Sequence, residues 1–327
     1  MEFLKDINWK SDDGVFLPML NDVARNTFYE QIIKPNVYKK HCVDIGFGTG
    51  LLSMIALKHG ATHVTAYEVN ETRYQLGQLI IKELGLQDCI DLIHDQYSWQ
   101  MPISKDSVIF SETAGPGIWG EGMWSTIPRT SGYTFLPGQW LLNIEVVPAS
   151  QNILDLIETR IPNMHAYFAP GVDMDTRFVE LINQLMSAPS NTETSTKQGI
   201  IHFDYLAQPV WGGGLHHRLT RALGQKVASY NVNILYQTLI TIDANGTKIQ
   251  PIDFGQPNHT LSVDLSSYSQ PVILVPRVGM KHNELTLMLD DAESWHWMSH
   301  PVLVTPELDR VNISHDFITG EIDFQVG

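Results

Sequence analysis

The chain has 327 residues, 43% of them hydrophobic and 17% charged, which suits two ordinary globular domains. A formal charge of −15 argues against nucleic acid as a partner class, because phosphate binding needs clustered lysine and arginine. No apolar run nears the roughly 18–20 residues that span a bilayer, MEFLKDINWK lacks a secretory core, and only Cys42 and Cys89 occur, so a cytoplasmic location without membrane association is expected.

Residues 16–34 form a predicted helix after Pro18, with Leu20, Val23, Thr27 and Phe28 or Tyr29 as its inner stripe. HCVDIGFGTG (41–50) reads as a buried strand running into a glycine turn, and LLSMIALKHG (51–60) as a helix closed by Gly60. HVTAYEVN (63–70) is a second strand. Asn70 then caps a helix over ETRYQLGQLIIKELG (71–85) that stops at Gly85. CIDLIHD (89–95) and SVIFSE (107–112) are further strands. Strands alternating with helices predict a parallel, doubly wound sheet.

Beyond about residue 140 the pattern turns β-rich, in WLLNIEVVPA, KVASYNVNILYQTLITID, PVILVPRV, ELTLMLDD and HPVLVT. This half reads as an antiparallel barrel or sandwich. One interruption, DMDTRFVELINQLM (173–186), keeps helical apolar spacing, either as core or as a docking face for a second subunit.

Asp44, Gly46, Gly48 and Gly50 sit where a strand meets a helix, so backbone can approach a ligand closely. A pyrophosphate fingerprint needs glycine at position 51, which is Leu51. Glu68 closes the next strand, where an acidic side chain binds ribose hydroxyls. Together these point to an adenosine cofactor. FSETAGPGIWGEGM (110–123) carries Glu112 and Glu121 in an otherwise apolar or glycine-rich run. Two buried carboxylates near one another raise each other's pKa and need a cation. His216, His217, His296 and His300 have no ligand spacing around them, and no metal is expected.

VDIGFGTGLLS with its acidic strand end resembles motif I of class I S-adenosyl-L-methionine methyltransferases. MLNDVARNTFYEQII (19–33), SETAGPGIWGEGM (111–123) and SWHW (294–297) are similar, in order, to the preceding helix, the double-E loop and the Thr-His-Trp loop of protein arginine methyltransferases. The resemblance implies a Rossmann-like α/β methyltransferase domain over residues 1–140. An antiparallel β-barrel substrate domain would follow over 141–327, with an inserted helical dimerisation arm at about 160–200 and a homodimeric assembly. It assigns Arg25 to the methionyl carboxylate of S-adenosyl-L-methionine, Glu112 and Glu121 to a guanidinium, His296 to the catalytic set beside them while it helps close the pocket, and Trp119, Met123 and Trp297 to the substrate pocket.

An arginine guanidinium is a planar, permanently charged fork of donors, which two converging carboxylates can neutralise and aim. One of them can take the proton released after methylation. The sequence also departs from the family. No aromatic Tyr-Phe-x-x-Tyr segment matches DINWKSDDG, Trp295 replaces the threonine of the Thr-His-Trp loop, and HDQYSWQMP (94–102) is altered. The double-E loop holds Ala114-Gly115-Pro116-Gly117. The altered loop, with no substrate-docking extension, tilts the expected substrate toward free L-arginine or another small guanidine. Arginine within a protein is the alternative, and a non-catalytic cofactor-binding or scaffold relative the second alternative.

Overall fold

The computed structural model describes residues 22–113 (Trp99 apart), 133–149, 258–288, 302–316 and 322–327. It also describes Leu20, Thr126 and short stretches at 175–177, 196–197, 200–202, 225–233, 240–242 and 249–251.

The first helix, α1 (Val23–Ile33), is capped by Asp22, whose side chain accepts from Arg25 N. Its buried face differs from the expected stripe. Val23 and Thr27 are half-buried, whereas Arg25 and Asn26 are buried with Phe28, Tyr29, Ile32 and Ile33. Apolar periodicity tracks only part of this face, because the helix also turns polar side chains inward at its first turn.

Five parallel strands follow. They are β1 (His41–Ile45), β2 (His63–Glu68), β3 (Ile90–His94), β4 (Val108–Ser111) and β5 (Thr134–Leu136), in the order β3-β2-β1-β4-β5. Strand β4 is buried throughout, as a central parallel strand covered on both faces must be. Helix α2 (Leu51–Lys58) joins β1 to β2, and α3 (Glu71–Leu84) joins β2 to β3. Asn70 caps α3 by accepting from Arg73 N, and Gly85 ends it in the left-handed conformation. Both the start at Asn70 and the stop at Gly85 were expected from the sequence. The doubly wound parallel sheet is therefore present.

Two residues after β5 the chain enters a second sheet through β6 (Gln139–Pro148). The strands β7 (Thr196–Lys197), β8 (Ile200–His202), β9 (Gln225–Asn233), β10 (Ile240–Ile242) and β11 (Ile249–Pro251) come next. They are followed by β12 (Asn258–Asp264), β13 (Val272–His282), β14 (Leu285–Met288), β15 (Val302–Val304), β16 (Arg310–Asp316) and β17 (Ile322–Val326). Nine of the described strands form one antiparallel sheet along β11-β10-β9-β6-β13-β15-β8-β7, with β14 on β13. Strands β12, β16 and β17 form another. The antiparallel half thus matches its expectation, while no described pairing closes a ring into a barrel. The expected arm at about 160–200 lies almost wholly outside the described residues.

One contiguous apolar core runs from Phe28 and Ile32 through β1 and β4 to Trp140, Met280 and Phe324. Helix α1 is the seam, since Tyr29 reaches Met280 of β13. Among the described residues no helix is long and apolar enough to cross a membrane.

Gly77 sits inside α3, where glycine ordinarily costs about 0.5–1 kcal/mol against alanine. A Cβ there would lie 2.7 Å from Leu92 and 2.8 Å from Phe47 of the glycine turn. Gly77→Ala is therefore expected to destabilise the protein by roughly 1–3 kcal/mol despite better helix propensity. Urea unfolding checks this; a raised midpoint would show that Phe47 yields.

Candidate active site

The strand order reverses between β1 and β4, so their carboxyl ends open side by side, where α/β sheets of this kind hold ligands. After β1, the N–H groups of Gly46 and Phe47 both donate to the Tyr67 carbonyl, at 3.0 and 2.9 Å. Gly46 holds φ at +83°, and a Cβ on it would lie 2.7 Å from Thr113 Cγ2. Glycine is required there twice, once by its backbone and once by its neighbour. Gly48 and Gly50 are also left-handed. Gly50 caps α2 without a side-chain cap of its own, and the Asp44 carboxyl takes the backbone N–H of Ser53 in the first turn of that helix.

Strand β2 ends on the buried Glu68. One of its oxygens accepts from Gly48 N at 2.9 Å and the other from Asn70 N at 2.8 Å. Glu68 therefore braces the glycine turn against the cap of α3, which the sequence reading had not foreseen.

Arg25 enters from the first turn of α1 and is 3% exposed. Its Nη1 donates to Asn26 Oδ1 at 3.1 Å, and Asn26 is itself anchored by donating to the Leu20 carbonyl. Its Nη2 donates to Glu112 Oε2 at 2.8 Å, in an ion pair whose side chains are 4% and 6% exposed. Burial pulls the Arg25 pKa down, but Glu112, Tyr29 and Asp22 outweigh it and hold the guanidinium charged. The Tyr29 ring lies under the guanidinium, 5.5 Å from its central carbon.

Three successive residues, from the last of β4 onward, are held by α1 and the glycine turn. Tyr29 donates its hydroxyl to the Ser111 carbonyl at 2.8 Å, Arg25 binds Glu112, and Thr113 fills the space beside Gly46. Ser111 and Thr113 also join through their hydroxyls at 2.8 Å.

Asp44, at 1% exposure, accepts from Ser53 Oγ at 2.6 Å. Burial raises its carboxyl to about 8 against that hydrogen bond, and the Glu68 charge adds to the rise. Three buried atoms around the turn have no hydrogen-bond partner: Asp44 Oδ1, Arg25 Nε and Thr49 Oγ1. Buried polar atoms are ordinarily satisfied. A carboxyl, a guanidinium and a hydroxyl left open together fit the ammonium and carboxylate of an amino-acid-like ligand.

The structure thus brings together Arg25, Asp44, Gly46, Gly48, Gly50, Glu68 and Glu112. Trp119, Glu121, Met123, His296 and Trp297 lie outside the described residues, as do His216, His217 and His300. Sequence reasoning gave no role in the site to Tyr29, Ser53 or Thr113. Only Tyr29 carried a usable signal, one helical turn beyond Arg25 and on the same face.

No protein-family model matches the chain. Over 128 residues it is 37% identical to human protein arginine N-methyltransferase 9, a match covering 37% of this chain and 15% of that protein. It is 33% identical over 155 residues to protein arginine N-methyltransferase 1 of Oryza sativa subsp. indica, covering 44% of this chain and 40% of the relative. The matched stretch therefore spans less than half of either relative. Among solved structures, PRMT6 with SAH superposes at a TM-score of 0.55 and 16% identity, covering 97% of this chain and all of that one. The likeness to protein arginine N-methyltransferases read from the motifs is borne out, in sequence over part of the chain and in fold over nearly all of it.

The buried Asp44 generates a pH prediction. Its folded pKa of about 8 exceeds the ordinary 3.8, so the folded state binds the extra proton between these values. The stability this contributes is present below the lower value and lost as pH rises through the upper one. Asp44→Asn should flatten the fall in stability between about pH 4 and 8. Urea unfolding across that range checks it, and equal slopes for parent and variant would contradict it.

Proposed function

We propose that the protein is an S-adenosyl-L-methionine-dependent N-methyltransferase acting on arginine guanidinium groups in proteins. The observation that carries this reading is the convergence of Arg25, Asp44 and Glu112 beside the glycine turn at the reversal of strand order. Arg25 offers its unpartnered Nε to a carboxylate, and Asp44 its unpartnered Oδ1 to an ammonium. Glu68 lies at the strand end suited to ribose hydroxyls. These residues would hold the cofactor, which supplies a sulfonium-bound electrophilic methyl group.

Glu112 and Glu121 are assigned to the substrate guanidinium. Arg25 already balances the charge of Glu112, so a single glutamate would leave an entering guanidinium uncompensated in a buried site. Glu121 supplies the missing charge, and this answers why the loop carries two carboxylates. The pair fixes the guanidinium plane, and one member accepts the proton that leaves the methylated nitrogen. Trp119, Met123, His296 and Trp297 are assigned to the pocket wall.

Protein arginine replaces the small guanidine expected from the altered loop, because the relatives are named as protein arginine N-methyltransferases and no feature among the described residues favours free arginine. The division at residues 1–140 and 141–327, the arm at about 160–200 and a homodimer complete the proposal.

Transfer of label from S-adenosyl-L-methionine to an arginine-rich peptide and to free L-arginine, side by side, tests it. The peptide is expected to be labelled and free arginine not. Glu112→Gln should lower kcat by about 10²-fold or more. Arg25→Ala should weaken cofactor binding at least about tenfold. Label on free arginine alone would restore the small-substrate reading, and label on neither would overturn both.

A further inference from the structure

Tyr29 is fully buried on α1, and no catalytic step above uses it. Its contacts are specific. The ring underlies the Arg25 guanidinium at 5.5 Å, while the hydroxyl donates to the Ser111 carbonyl at 2.8 Å and touches Met280 Sδ at 3.3 Å. A phenol has one proton, and the carbonyl is the shorter and stronger acceptor, so the sulfur contact is one of packing. The Ser111 carbonyl belongs to the peptide plane that leads into Glu112. One side chain therefore grips both partners of the buried ion pair, Arg25 by its face and Glu112 through its backbone.

We propose that Tyr29 is a positioning residue for the transfer reaction, its hydroxyl setting the aim of Glu112 and its ring setting that of Arg25. This rests on the functional reading above. The two halves of the side chain then serve different steps. Removing the hydroxyl disturbs the carboxylate that holds the substrate, and removing the ring also disturbs the guanidinium assigned to the cofactor.

Three variants separate the steps. Tyr29→Phe keeps the ring and should lower kcat by about tenfold, since small errors of aim are costly when catalysis rests on positioning. Its affinity for S-adenosyl-L-methionine, measured by calorimetry, should stay within about twofold of the parent. Tyr29→Leu should lose kcat and, in addition, weaken cofactor binding by about tenfold. Met280→Leu keeps the hydroxyl bond and should retain kcat within about twofold. A merely structural tyrosine would lower stability in both Tyr29 variants without this split. A parental kcat in Tyr29→Phe would overturn the proposal, as would a Met280→Leu variant equally slow.

A crystal structure of Tyr29→Phe supplies a readout independent of turnover. Glu112 is expected to leave hydrogen-bond distance of Arg25, and an unmoved pair would overturn the proposal. A parent enzyme that methylates no arginine would count against the functional reading, while the position of that pair would still decide the role of Tyr29.

Discussion

The buried ion pair between Arg25 and Glu112 is the constraint around which the site is organised. It joins the first turn of α1 to the segment leaving β4, elements 87 residues apart in sequence. Both side chains are almost withdrawn from water, so neither could be kept charged alone. Breaking such a pair from one side typically costs about 3–5 kcal/mol, because the other charge is left buried. The pair therefore ties α1 to the carboxyl end of β4, beside the glycine turn.

Geometry at the glycine turn follows from the same arrangement. Thr113 can lie against Gly46 only because position 46 has no Cβ, and Glu68 can reach Gly48 N only because the turn folds back over β2. The segment leaving β4 and the end of β2 therefore both meet the glycine turn through direct contacts. The carboxylate of Asp44, held largely neutral by burial, avoids adding a third negative charge beside Glu68 and Glu112. An ammonium arriving at Asp44 Oδ1 would favour its ionisation, coupling ligand entry to proton release.

Much of this was legible in the sequence because it rests on local rules. Asn70 and Gly85 announced the ends of α3, and SVIFSE announced a strand whose central place came only from the pairing. The glycine turn was readable for the same reason, since its left-handed residues leave glycine little competition. Arg25 was harder. Alone it reads as a solvated helix residue, and only its neighbours in the motif gave it a role. The inner face of α1 was misjudged because apolar periodicity cannot anticipate that a helix buries Arg25 and Asn26 against its own cap and a distant carboxylate. Thr113 carried no signal, since it meets Gly46 only through the pairing of β1 with β4, and Ser53 reaches Asp44 only once the glycine turn folds α2 back on the end of β1. The antiparallel half was visible as alternating strands, but its pairing through β6 and β13 is long-range and cannot be read from spacing.

The most direct test of the central constraint is a double-mutant cycle on folding stability with Arg25→Met, Glu112→Gln and the double variant, measured by urea unfolding. Each single change strands a buried group, and the second removes the stranded partner's penalty. The expected coupling is about 1–3 kcal/mol, with the double variant less destabilised than the sum of the singles. Additivity within about 0.5 kcal/mol would show that the two side chains do not depend on one another and would contradict the account.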